Sequence, residues 1–155
     1  MSAPELNKAI PDCDVQATSD KSFKLSDLKG KKFVLYFYPK DSTPGCTTEG
    51  RDFSAIYDKF QQANCEIFGV SRDSLQKHEN FKAKQEFPFE LVSDPDEILC
   101  QSFDVIHEKK LYGKVYMGIV RSTFVINEKG ILKQEYRKVK VKGHAEEVLG
   151  FVESL

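Results

Sequence analysis

The run Phe33-Val34-Leu35-Tyr36-Phe37-Tyr38 is apolar on both of its alternating sets of positions. A strand of that kind is buried on both faces, so it belongs at the centre of a sheet with helices on each side. Pro39 brings no N–H and ends the ladder. Beyond it, Pro44, Gly45 and Cys46 open a segment in which Phe53, Ile56, Tyr57 and Phe60 fall at i, i+3, i+4 and i+7, the stripe of an amphipathic helix. Thr43 suits the N-cap and Pro44 the first helical position, so a helix is expected from about Pro44 to Gln62. Cys46 then lies in the first turn of that helix, just past a buried strand. Unpaired backbone N–H groups and the positive end of the helix dipole converge there and favour a thiolate, the nucleophilic form of cysteine. A cap hydroxyl on Thr43 would lie close to the Cys46 backbone and within reach of its sulfur.

The rest of the pattern alternates. Val15–Ala17 and Phe23–Leu25 read as a short extended pair around a polar turn, and Ser26–Gly30 as one helical turn closed by glycine. Cys65–Ser71 and Phe89–Ser93 are expected strands. Ser74–Gln85 is expected as a polar surface helix with Leu75 and Phe81 among its few inward candidates, and Asp96–Phe103 as a short helix. Ile119–Ile126 reads as a strand, interrupted by Arg121, that turns at Asn127–Gly130 into Ile131–Tyr136. His144–Leu155 closes the chain as a helix with Val148, Leu149 and Val152 on its apolar face. Strands alternating with helices early and an antiparallel hairpin late predict an α/β fold with a mixed central sheet, helices on both faces and a short N-terminal β-hairpin.

At 155 residues and with no linker or repeat, a single domain over residues 1–155 is expected. A net charge of −1 gives no reason to expect nucleic acid or an anionic membrane as partner. No apolar run approaches the roughly 20 residues of a membrane helix, and Met1–Asp12 lacks the marks of a signal peptide, which points to the cytoplasm. The cysteines, Cys13, Cys46, Cys65 and Cys100, form no CxxC or zinc-ribbon spacing, and His78, His107 and His144 are scattered. No metal or cofactor is expected, and no GxGxxG supports a dinucleotide.

The segment Tyr38-Pro39-Lys40-Asp41-Ser42-Thr43-Pro44-Gly45-Cys46-Thr47-Thr48-Glu49 resembles the active-site signature of peroxiredoxins, with Pro39, Thr43 and Cys46 at the family's spacing. The Lys-Asp-x-Thr-Pro-Gly-Cys form and Gly118-Ile119-Val120-Arg121-Ser122-Thr123-Phe124 resemble the bacterioferritin-comigratory-protein group, also called the PrxQ type. The resemblance covers nearly the whole chain. It implies a thioredoxin-like fold and a thiol-dependent peroxidase, active in antioxidant defence on hydrogen peroxide and organic hydroperoxides, with a thiol reductant such as thioredoxin or glutaredoxin and a monomeric state. It also implies that Cys46 is the peroxidatic nucleophile and that Arg121 faces the thiolate and the developing hydroxide. Composition alone leaves Arg121 equally well explained as a strand-end residue with its head in water. Pro39 is expected to shape the pocket and shield the sulfur. Glu49 either orients Arg121 or Arg51 or serves as a favourable first-turn acid.

Attack on a peroxide turns Cys46 into a sulfenic acid, which a second thiol must resolve. Relatives often place that thiol at the position of Arg51, or in a segment whose matching residue here is Lys82. Both positions lack a cysteine, so a one-Cys peroxidase with an external thiol reductant is expected. Cys13, in a loose N-terminal segment, and Cys100 remain as unorthodox resolvers for an atypical two-Cys enzyme, while Cys65 reads as core. Cys46 oxidation could also signal to a partner, as in a peroxide sensor or binding module. Gly50 weakens the helix by about 1 kcal/mol against alanine, and its first turn is expected to unwind to expose oxidised Cys46.

Overall fold

The computed structural model describes residues 3–155. Its strands are β1 (Asp14–Ala17), β2 (Lys21–Lys24), β3 (Lys32–Phe37), β4 (Cys65–Ser71), β5 (Glu90–Ser93), β6 (Ile106–Leu111), β7 (Lys114–Ile119), β8 (Ser122–Ile126) and β9 (Leu132–Arg137). Its helices are α1 (Pro44–Ala55), α2 (Tyr57–Gln62), α3 (Leu75–Gln85), α4 (Ile98–Ser102) and α5 (His144–Glu153), with a 3-10 turn at Leu25–Leu28. Seven strands form one sheet in the order β2-β1-β5-β4-β3-β8-β9, and β6 and β7 pair separately. β3 runs parallel to β4, and β4 to β5, whereas β8 is antiparallel to β3 and to β9. β1 joins β5 antiparallel and carries β2 as a hairpin. The mixed sheet and the N-terminal hairpin are those expected from the pattern of elements.

β3 sits near the middle of this order, and all its residues are buried. Its alternating side chains divide the core in two. Phe33, Leu35 and Phe37 join Cys13, Val70, Leu99, Cys100, Phe103 and Phe124 on one face. Val34 and Tyr36 join Cys46, Phe53, Phe60, Phe81, Phe89, Val148 and Val152 on the other. Each fully buried large side chain contributes roughly 1.5–3 kcal/mol, so both faces hold β3 in one register. No helix among the described residues is long and apolar enough to cross a membrane.

Three elements differ from the sequence reading. The expected helix over Pro44–Gln62 breaks at Ile56 (φ −118°, ψ 16°) into α1 and α2. Near this break the Ser54 hydroxyl donates back to the Gly50 carbonyl at 2.8 Å, a bond that bends helices, and Ile56 N–H turns to Phe53 O and Ser54 O. In α3, Phe81 is buried as expected, but Leu75 in the first turn is exposed and His78 takes the inward position. The expected strand Ile119–Ile126 is two strands: Ile119 ends β7 and Ser122 begins β8. Val120 and Arg121 form a corner between them, pinned by Val120 N–H to Val105 O (2.7 Å) and Val139 N–H to Arg121 O (3.0 Å).

The β6–β7 hairpin carries a weak sequence signal, because His107, Glu108, Lys109 and Lys110 hide its alternation. Its turn, Tyr112-Gly113, has positive φ at both residues (51° and 77°), as a two-residue hairpin loop of type I′ requires.

Gly50 is forced by packing. A Cβ built there would stand 2.4 Å from the Phe87 ring, so α1 rests directly on the segment that enters β5. Gly50→Ala is therefore expected to destabilise the protein by about 1–3 kcal/mol through overpacking, despite a helix-propensity gain of about 1 kcal/mol. Urea unfolding checks the sign.

Candidate active site

Pro44, Gly45 and Cys46 are the first three residues of α1, with Thr43 at the N-cap in extended conformation (φ −86°, ψ 154°). The helix begins where Thr47 N–H donates to Thr43 O at 2.9 Å. The Cys46 N–H is thus among the N-terminal donors without an intrahelical partner. The thiol is buried, with only 2% of the residue exposed.

Arg121 reaches Cys46 from the β7–β8 corner. Its Nη2 lies 3.4 Å from Cys46 Sγ and its Nη1 donates to Glu49 Oε1 at 2.6 Å. Gly45 leaves room for this approach, since a Cβ there would stand 3.2 Å from Nη2. The structure therefore brings together four residues singled out from the sequence: Gly45, Cys46, Glu49 and Arg121. Glu49 turns to Arg121 and not to Arg51, which lies exposed on the outside of the helix. Burial works against the Arg121 charge, but Glu49 and Cys46 outweigh it and hold the guanidinium above its ordinary value.

Glu49 itself is 1% exposed, and its second oxygen, Oε2, has no hydrogen-bond partner. Burial pushes its carboxyl up to about 7, and Arg121 offsets only part of that rise. One cation thus faces two acidic groups.

Thr43 differs from expectation. Its hydroxyl makes no cap bond and no bond to the Cys46 sulfur; it donates to Lys40 O at 2.7 Å. That contact closes the loop after Pro39, in which Ser42 holds φ at +63°. The loop has a second anchor that the sequence did not reveal. Asp41 accepts from the Tyr38 hydroxyl at 2.6 Å through Oδ1, and Oδ2 lies 2.6 Å from His78 Nδ1. His78 Nε2 meets Val92 O at 2.9 Å, and Asp41 N–H donates to Asp73 Oδ2 at 2.9 Å. Asp41, Asp73 and His78 are the one grouping of possible metal ligands among the described residues, but these bonds already engage both ring nitrogens. The only sequence signal for His78 is its position three residues before Phe81, on the same helical face. Lys109 of β6 also belongs to the neighbourhood of the sulfur. Burial and then the Arg121 charge hold its ammonium below the usual lysine range, with Cys46 acting the other way.

The remaining cysteines stand apart. Cys13 and Cys100 belong to the opposite core face from Cys46. Cys13 is not loose: it is 9% exposed, its thiol points to Ser102 Oγ at 3.6 Å, and burial pushes it up. Burial drives the Cys100 thiol far above its usual range, with Asp94 adding to the effect. Burial likewise pushes Cys65 up to about 12. Arg51 and Lys82 occupy the two positions expected for a resolving thiol, and Lys82 pairs with Glu90 at 3.4 Å.

A buried cysteine sulfur at a helix N-terminus under a paired guanidinium, on a mixed sheet of this topology, is the arrangement of a thioredoxin-fold thiol enzyme. The chain matches the AhpC/TSA family over residues 6–135 and belongs to it. It is 53% identical to Peroxiredoxin Bcp of Xanthomonas campestris, over 94% of this chain and 91% of that protein. It is 50% identical to Peroxiredoxin Bcp of Bacillus subtilis, over 94% and 92%. Among solved structures, Xanthomonas campestris Peroxiredoxin Q superposes with a TM-score of 0.88 at 51% identity, covering 92% of this chain and 90% of that one. The Xylella fastidiosa PrxQ mutant superposes at 0.93 and 43% identity, covering 99% and 98%. This chain is accordingly a thiol-dependent peroxidase of the Bcp/PrxQ type.

The Glu49 carboxyl has a measurable signature. Its folded-state value, about 7, lies above the ordinary 4.5, so the native state holds the extra proton. The resulting stability is full below pH 4.5 and is lost as pH rises through about 7. Glu49→Gln removes that dependence. Urea unfolding on either side of this window is expected to show wild type losing on the order of 3 kcal/mol more than the variant.

Proposed function

We propose that Cys46 is the peroxidatic nucleophile for hydrogen peroxide and organic hydroperoxides and that the enzyme works by a one-Cys mechanism. The carrying observation is Arg121 Nη2 at 3.4 Å from Cys46 Sγ, on a sulfur set in the first turn of α1. The Cys46 thiolate attacks one peroxide oxygen, and the O–O bond breaks. The sulfur keeps that oxygen as a sulfenic acid, and the other oxygen leaves as hydroxide or alkoxide and takes a proton to become water or alcohol. Negative charge moves from sulfur to the leaving oxygen, so a fixed cation spanning that path stabilises the transition state more than the ground state.

Thr43 has its hydroxyl proton committed to Lys40 O, which leaves its oxygen free to accept from the peroxide O–H and orient it. Pro39, half-buried two residues past β3, shapes the loop that shields the sulfur. Glu49 holds the guanidinium in place from behind. Effective alignment of this kind is worth far more than the roughly 30-fold gain from ionising a thiol alone.

The resolving step favours an external thiol such as that of thioredoxin or glutaredoxin. Cys65 sits in the core, while Cys13 and Cys100 lie across the sheet. Two structures of the Xanthomonas relative are serine mutants at cysteines separated by the same interval as Cys46 and Lys82 here. The same spacing in this chain ends at a salt-bridged lysine.

Cys46→Ser is expected to abolish peroxide turnover, and Arg121→Ala to lower kcat/KM about 10²–10³-fold. Mass spectrometry after one equivalent of peroxide is expected to find a single added oxygen on Cys46. A loss of two hydrogens would reveal an internal bridge and overturn the one-Cys reading.

A further inference from the structure

The β6–β7 hairpin stands apart from the main sheet and leaves five large apolar side chains in solvent: Leu111, Tyr112, Val115, Tyr116 and Met117. Tyr112, at the tip, is 95% exposed. Scattered apolar residues on a surface are ordinary, but this many on one ribbon mark an interaction site.

The register sorts them. Lys109 pairs with Tyr116 and Leu111 with Lys114, so Lys109, Leu111, Lys114 and Tyr116 share one face of the ribbon, and Tyr112 tops it. Lys109 is half-buried on this face, and its ammonium feels the charges of Arg121 and Cys46. β7 itself runs straight into the corner that carries Arg121. An apolar surface with a lysine on either flank therefore leads outward from the redox centre.

The charge of the ribbon selects its partner. Lys109, Lys110 and Lys114 stand against a single acid, Glu108. Two copies of this chain meeting ribbon to ribbon would oppose like charges, which disfavours a self-complementary dimer. A small thiol needs no such surface to reach the sulfur, whereas a protein reductant must be held while its thiol meets a group that is 2% exposed.

We propose that this face of the hairpin, Lys109, Leu111, Tyr112, Lys114 and Tyr116, is the docking surface for an acidic protein dithiol that reduces oxidised Cys46. The inference rests on the external-reductant reading above and adds the partner's chemistry and the place where it sits. One thiolate of the partner attacks the sulfenyl sulfur, and the hydroxyl leaves as water after taking a proton. The second partner thiolate then breaks the mixed disulfide, releasing Cys46 as thiolate and leaving the partner oxidised by two electrons to its own disulfide.

The test separates the two half-reactions in the full-length protein, using thioredoxin kept reduced by its reductase as the protein dithiol and dithiothreitol as the small one. Tyr112→Ser with Leu111→Ser, and separately Lys114→Glu, are expected to slow reduction by thioredoxin about tenfold, through KM for thioredoxin. Oxidation of Cys46 by peroxide and its reduction by dithiothreitol are expected to stay at wild-type rates. Lys114→Glu is also expected to weaken the salt dependence of the thioredoxin step. Equal slowing with both reductants, no slowing with either, or no wild-type reduction by thioredoxin overturns the docking proposal. In the last case, recycling by dithiothreitol leaves the external-thiol reading intact, and its failure removes that reading too. Co-sedimentation of wild type with anionic phosphatidylglycerol vesicles, lost in the serine variant while thioredoxin kinetics are unchanged, would assign the ribbon to a membrane surface and likewise overturn the proposal.

Discussion

One guanidinium facing both the Cys46 sulfur and the Glu49 carboxyl is the interaction on which the site depends. A buried arginine is costly without anions, and a buried carboxyl or thiolate is costly without a cation. Here each group makes the burial of the others tolerable. The balance is deliberately incomplete, because Glu49 keeps one oxygen unpaired. A fully matched ion pair would neutralise Arg121, and the sulfur would gain little from it. The Glu49 carboxyl, pushed up to about 7 by burial, holds the guanidinium from the side away from the sulfur.

Two chain segments distant in sequence must converge for this to occur, and the sheet arranges it. β3 delivers the chain to the loop before α1, and β8, hydrogen-bonded beside β3, begins just after Arg121. The pairing of Phe37 with Ser122 fixes the end of one strand against the start of the other. Buried bonds then hold the loop from below. Tyr38, Asp41 and His78 tie it to α3, so the geometry at Cys46 also depends on a helix that contributes nothing directly to the chemistry.

Much of this was legible in the sequence because it rests on local pattern. The doubly apolar run announced β3, and the Thr-Pro-Gly-Cys order announced the start of α1 and the placement of Cys46. The family signature paired Cys46 with Arg121, and the structure shows their contact. What escaped depends on partners remote in sequence. The Thr43 hydroxyl satisfied the cap rule on paper, yet in the fold it accepts from no helix N–H and donates to Lys40 O. Cys13 looked loose in a polar segment, but it packs into the core beside Cys100 and Phe103, with its carbonyl held by Leu25 N–H. His78 was one polar residue among many on α3, and only the folded chain shows Asp41 beneath it. Gly50 suggested a weak helix, whereas the Phe87 ring leaves no space for a side chain.

The corner at Val120–Arg121 has a mechanical consequence. It is only two residues long, and it joins a solvent-exposed ribbon to a strand paired with the centre of the sheet. The ribbon is in effect a lever, and the residue at its fulcrum is the one that grips the sulfur. Its other strand returns to the core through Ile106, so the ribbon is held at both ends while only one end adjoins the cation.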